Sequence, residues 1–217
     1  MRHALVVATG NRAKLQELKA LLVDLPLEVL SVDEALTRTP TIIEDGSTFA
    51  DNASKKARAI ARATMMLTLG DDSGLEVDAL GGAPGVRSAR YAHPRATDAE
   101  NNAALLSALA GASGDGDLAP RARFRCVLAL VDPLVSMEPH LVEGSCEGRI
   151  LMTPRGSGGF GYDPLFLVDG HDKTMAELDE ATKSAISHRG RAFQALRLVL
   201  EKILLARDES ARRISGA

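Results

Sequence analysis

Aromatic side chains are nearly missing from this chain of 217 residues: it has no tryptophan, and aromatics make up only 3%. That scarcity argues against a platform stacking successive bases of a single strand. The formal net charge of −3 likewise gives no reason to expect a nucleic acid polymer or an acidic membrane surface as partner. Cysteine is scarce too. Cys126 and Cys146 each sit in an apolar, strand-like run and read as core thiols of a reducing compartment rather than a disulfide or metal pair. No apolar run approaches the roughly 18 residues of a membrane span. Residues 3–8 are too short for the apolar part of a secretion signal and lead into a turn. The expected location is cytoplasmic.

What is present is ordinary globular composition, with 45% hydrophobic and 25% charged residues. It is enough for one domain over 1–207, followed by a polar tail over 208–217. Residues 3–8 read as a buried strand, Thr9-Gly10-Asn11 as a turn, and Leu15, Leu18, Leu21 and Leu22 as one helix face. A second strand is expected over 27–32 and a polar loop over 37–47. Thr48 with Asp51 forms a capping box for a helix that runs to about Met66 and feeds a strand ending at Asp71-Asp72. Glycines and prolines make 79–95 loop, and Thr97 with Glu100 caps a helix to about Ala110. After a flexible connection over 111–120, segments 124–131 and 141–146 read as a strand pair. The last helix starts near Ser187, with Phe193, Leu196, Val199, Leu200 and Ile203 in one stripe. The pattern is α/β, a mixed central sheet flanked by helices.

The chemistry concentrates in a few places. Asp71 and Asp72 follow an apolar run, where even one carboxylate requires a compensating cation. On a strand they point to opposite faces, so each needs its own partner. Two helices also begin with the wrong charge: Arg12 and Lys14 in one, His188, Arg189 and Arg191 in the other. Helix N-termini favour anions, so each such cation costs about 0.3–1 kcal/mol on a surface helix. Either both starts hold a bound anion, phosphate being the usual one, or these are solvated surface charges. Basic helix starts for a polyphosphate, with Asp72 and the loop pair Glu44-Asp45 for Mg²⁺, would make a metal-assisted phosphoanhydride hydrolase. Lys55 reads as a surface partner of Asp51, while Lys56 lies with Asn52 toward the apolar stripe, either reaching a cleft or snorkelling. His140 and His171 have no ligand-like spacing and read as surface.

Residues 156–161 satisfy G-x-G-x-x-G, but Tyr162-Asp163-Pro164 follows and Pro164 stops the helix a dinucleotide site requires. No P-loop pattern occurs. What remains is a glycine loop that either presents Phe160, Tyr162 and Asp163 to a base or turns its aromatics into the core.

Six segments together resemble the inosine triphosphate pyrophosphatase family, in its bacterial XTP/dITP diphosphatase branch. They are residues 9–14 (TGNRAK), 44–49 (EDGSTF), 71–75 (DDSGL), 80–91 (LGGAPGVRSARY), 159–164 (GFGYDP) and 183–190 (KSAISHRG). The resemblance implies an elongated α/β fold with a cleft between two lobes. It implies Mg²⁺-dependent hydrolysis of ITP, dITP and XTP to monophosphate and pyrophosphate, as a homodimer. By position it places triphosphate on Thr9, Gly10, Asn11, Arg12, Ala13 and Lys14, and makes Asp72 proton acceptor and metal ligand. Ser73, Phe160, Gly161, Tyr162, Asp163, Lys183, His188 and Arg189 would contact the nucleotide, with Phe160 stacked on the base. Glu44, as a second metal ligand, Lys56 and Asp71 match supporting acidic and basic positions. Two departures stand out: Asp51 replaces a common Glu, and Ile43 replaces a second acid found in some members. The other readings are a pyrophosphatase for modified pyrimidine triphosphates and a nucleotide-binding regulator without catalysis.

Overall fold

The computed structural model describes residues 2–112 and 119–215. Strands β1 (His3–Ala8), β2 (Leu27–Ser31), β3 (Leu67–Val77), β4 (Arg121–Asp132), β5 (Ser136–Ile150) and β6 (Phe166–Val168) form one sheet in the order β2-β1-β3-β4-β5-β6. The helices are α1 (Arg12–Leu21), α2 (Val32–Ala35), α3 (Phe49–Thr64), α4 (Asp98–Ala112), α5 (Glu180–Ile186) and α6 (His188–Ser215). β1 pairs in parallel with β2 and β3, because helices return the chain between them. β3, β4, β5 and β6 pair antiparallel. The expected α/β class and mixed sheet are therefore observed.

Strand alternation distributes the core. On one sheet face Leu67 and Leu69 of β3 pack with Leu128 and Leu130 of β4, under Leu18 and Leu22 of α1 and Phe193, Leu196 and Leu200 of α6. Further along the same face, Leu75 and Val77 join Phe124, Ile150 and Phe166 beneath Leu105 and Leu109 of α4. Each fully buried leucine in these cores contributes about 1.5–3 kcal/mol. Between the two cores the strand offers Asp71 and Ser73. On the opposite face Phe49, Ala53, Ala57 and Ala61 of α3 cover Val127, Ala129 and Val131. A side chain at Gly70 would collide with the Ala53 carbonyl, so this glycine lets α3 lie directly on β3.

Several boundaries differ from expectation. Asp71-Asp72 does not end its strand: both pair with β4, opposite Leu128 and Val127, and β3 continues to Val77. β1 pairs with β3 only as far as Ala8 and Gly70, so the aspartates lie just past the last parallel partner. β4 and β5 are longer than their apolar runs, and just past those runs the cross-strand ion pair Arg123–Glu147 supports the added ladder. Segment 79–95 contains the 3₁₀ turns Asp78–Leu80 and Gly85–Arg90. The polar tail expected over 208–217 is instead helix as far as Ser215, and Asp208 accepts a hydrogen bond from His3 at 3.0 Å. Of the connection expected over 111–120, positions 113–118 lie outside the described residues. Among the described residues no helix is long and apolar enough to cross a membrane.

Candidate active site

Alternation along β3 sends its two aspartates to different helices. Asp71, fully buried, accepts from Lys14 Nζ of α1 at 2.7 Å and Arg189 Nε of α6 at 2.9 Å. Ser73 Oγ and Cys126 Sγ complete its shell at 3.3 and 3.4 Å. Burial pushes the Asp71 carboxyl up, but the Arg189 guanidinium and the Lys14 ammonium outweigh it and hold the group well below its ordinary value.

The network continues outward from Arg189, which is itself fully buried. It donates to Glu17 and, at 2.9 Å, to Ser73 Oγ. Lys183 bridges Glu17 and Asp163, both at 2.8 Å. Lys183 and Arg189 also sit 5.2 and 5.7 Å from the centroid of the Phe160 ring, a cation–π arrangement that braces it. His188 stacks on Phe124 with centroids 4.8 Å apart, and its buried Nδ1 has no hydrogen-bond partner. Burial and the neighbouring Arg189 push its pKa well down, so the imidazole is neutral. Asn11, Ser73, Phe160, Tyr162, His188 and Arg189 are among the residues lining a cavity here.

Asp72 faces α3. Lys56 Nζ lies 2.9 Å from it and 2.7 Å from Glu44, while Asn52 Nδ2 donates to its other oxygen at 3.3 Å. Burial and the nearby Glu44 carboxylate raise the Asp72 pKa against the pull of Lys56. Burial likewise works against ionised Glu44, but Lys56 holds its pKa below the ordinary value. Lys56 loses solvation yet titrates higher than usual, because it has two carboxylate partners. A second cavity opens on this side, lined by Thr9, Gly10, Asn11, Arg12, Glu44 and Lys56 among others. Asn11 borders both cavities.

These residues also fit a divalent cation. Around Lys56, two carboxylates, Glu44 and Asp72, share a single ammonium at 2.7 and 2.9 Å. Mg²⁺ is commonly held by one or two carboxylates, with waters and phosphate oxygens completing its shell. Among the described residues no three His, Cys, Asp or Glu side chains form a cage, which a dedicated all-protein metal site would need.

The site residues expected from sequence thus fall into two neighbouring groups, with several corrections. The two unfavourably charged helix starts are offset in part within the protein: Lys14 and Arg189 are held by Asp71 and Glu17, while Arg12 and Arg191 stay exposed. Asn11 Oδ1 already caps the amides of Ala13 and Lys14 at 2.9 and 3.1 Å, so the amide of Ala13 is not free. Tyr162 enters the core, its hydroxyl donating to the Ser88 carbonyl at 2.9 Å, while Phe160 stays half-exposed in the cavity. Lys55 pairs with Asp45, not Asp51, whose carboxylate completes the capping box. Ile43 points to solvent. Cys126 and Cys146 are buried free thiols, as expected, and His140 and His171 are exposed. Sequence reasoning missed Glu17, although it follows Lys14 by three residues and so shares its helix face. Asn52 was noticed only as a neighbour of Lys56.

The sequence profile of the Ham1 family matches residues 5–199. The chain belongs to the Ham1 family. A dITP/XTP pyrophosphatase of Desulforamulus reducens is 50% identical over 204 residues, 94% of this chain and 98% of that protein. The structure of a HAM1 protein from Coxiella burnetii superposes with a TM-score of 0.82 at 45% identity, covering 93% of this chain and 100% of that one. The Staphylococcus aureus Ham1 protein gives 0.78 at 39% identity, covering 92% and 98%. The Ham1 match includes both cavities and ends within α6.

Proposed function

We propose that this Ham1 protein hydrolyses deaminated purine nucleoside triphosphates, dITP, ITP and XTP, to monophosphate and pyrophosphate with Mg²⁺. One observation carries the reading: Asn11 is shared by a cavity with an aromatic wall and a cavity with a carboxylate–lysine centre. A nucleotide fits that pair of sites with its base against Phe160 and its phosphates beyond Asn11. The name dITP/XTP pyrophosphatase borne by relatives such as that of D. reducens supports the same substrate class.

The residues divide the work. The neutral His188 lines the cavity at the base edge, and the Arg189 guanidinium beside it favours a keto oxygen over an amine. Lys56 and Arg12 draw the phosphates toward Asp72. Ionised Asp72 takes a proton from the attacking water, and the new P–O bond forms as the bond to the pyrophosphate oxygen breaks. Mg²⁺ held by Glu44 and Asp72 would supply charge neutralisation at the phosphate oxygens. Asp71 touches none of the reacting atoms in this scheme; it fixes Lys14 and Arg189. Homodimerisation rests on the family resemblance, and sedimentation of the purified protein tests it; the cytoplasmic location rests on the reduced core thiols and on the short apolar runs of the sequence.

A product assay across ITP, XTP, dITP, ATP, GTP, dTTP and UTP with Mg²⁺ decides the main point. Pyrophosphate release from the first three, far faster than from the rest, is the expected outcome. Orthophosphate as the sole phosphate product, or preference for the pyrimidines, would refute it.

A further inference from the structure

Glu44 has no regular element to hold it. Residues 37–48 form neither helix nor strand, and its side chain is 37% exposed. Two hydrogen bonds fix the backbone around it. Asn52 Oδ1 accepts from the Gly46 amide at 2.8 Å, and Arg90 Nη2 donates to the Glu44 carbonyl at 2.9 Å. The first comes from α3, the helix that already carries Lys56.

The second arrives from the other cavity. Arg90 is the last residue of the 3₁₀ turn Gly85–Arg90. Within that turn, Ser88 and Ala89 line the aromatic cavity, and the Ser88 carbonyl accepts the Tyr162 hydroxyl. Asn101 of α4 pins the chain on either side of Arg90, donating to the Ala89 carbonyl at 3.2 Å and accepting from the Ala92 amide at 3.0 Å. Arg90 is thus a half-buried cation on a well-anchored turn that reaches out to a poorly anchored loop.

We propose that Arg90 is a positioning residue for Glu44, holding the loop that presents this carboxylate to the divalent cation from the turn that walls the base cavity. The inference rests on the assignment of that cation to Glu44 and Asp72. A ligand carried by a loop must be ordered each time the ion binds, unless contacts behind it have ordered it already. Losing such an outer contact typically weakens metal affinity about 10–100-fold. Lysine could reach the carbonyl as a point charge but lacks the planar fork, so it replaces arginine only in part.

The test compares wild type, Arg90→Ala, Arg90→Lys and the control Arg87→Ala, whose exposed arginine belongs to the same turn. Amide hydrogen exchange over residues 41–46 in substrate-free protein reads the loop directly. The Mg²⁺ concentration giving half-maximal ITP hydrolysis reads its consequence. For Arg90→Ala we expect faster exchange over 41–46 and a half-saturating Mg²⁺ raised about tenfold or more. With Mg²⁺ saturating, kcat and the KM for ITP stay within about twofold of wild type, because Arg90 enters the reaction only through the loop. Arg90→Lys falls between, and Arg87→Ala matches wild type. Wild-type exchange and Mg²⁺ dependence in Arg90→Ala would overturn the proposal. So would a lowered Tm and kcat with no shift in Mg²⁺ dependence, which marks a merely structural role. If wild type turns over ITP without any divalent cation, the cation assignment itself fails and the inference with it.

Discussion

Asp71 and Asp72 are neighbours in the chain, and burial penalises the charge on both, yet their surroundings answer differently. Two cations overcome the penalty at Asp71, whose pKa is depressed, so its ionised form adds stability above pH 3.8 that is lost as pH falls through the folded value. Asp71→Asn leaves Arg189 and Lys14 facing a neutral amide, and it should destabilise the fold by about 3–5 kcal/mol in a denaturant titration. At Asp72 the penalty prevails and the pKa is raised. Its ionisation opposes folding, so Asp72→Asn should unfold at or above the wild-type denaturant midpoint while pyrophosphate release disappears. Without Mg²⁺ the Asp72 carboxyl should therefore titrate above the ordinary 3.8 of an aspartate, as followed by carbon NMR of the substrate-free protein. His188 titrates well below 6.5 and should add no inflection near that pH; a kcat profile with an inflection at 6.5 would contradict its neutral assignment.

At the scale of elements, the site depends on how closely helices approach the sheet. A Cβ on Gly144 would run into the backbone of His188 and Ala192, so Gly144→Ala must push the first turn of α6 away from β5. We expect a loss of at least about 1–3 kcal/mol from such overpacking. ITP turnover should fall with it, because His188 and Arg189 ride on that turn; unchanged kcat/KM would separate the turn from the site. The same elements show what a reader of the sequence can and cannot see. Caps at Thr48 and Thr97, the apolar stripe of α6 and the mixed α/β sheet were all legible, because local spacing and the order of elements encode them. The opposite orientation of the two aspartates followed from strand alternation. Partners were not legible: Arg189 meets Glu17 and Asp71 only after 172 and 118 residues of chain have folded between them. The length of β3 past Asp72 was hidden for the same reason, since its ladder is supplied by β4.

The whole molecule sets two cavities of unlike character on either side of Asn11, and under the proposed function the substrate occupies both to be turned over. Binding energy from the base end is then available to orient the phosphate end. Phe160→Ala removes one wall of the base cavity, and a lost stacking contact of about 1–3 kcal/mol should lower kcat/KM for ITP by roughly 10–100-fold. Tripolyphosphate, which has no base, should be a poor substrate for wild type and should not respond to Phe160→Ala. Equal losses on both compounds would mean that Phe160 supports the fold and not the base.

Which neighbours each of the paired acids meets is decided by parity. Along β3 the odd-numbered residues 67, 69, 71 and 73 meet α1 and α6, and the even-numbered 70 and 72 meet α3. Inserting or deleting one residue between 67 and 70 would send each carboxylate to the other's neighbours. The composition would hardly change and both acids would still be present, but the proposed proton acceptor would be locked against an arginine and the anchor left beside Lys56.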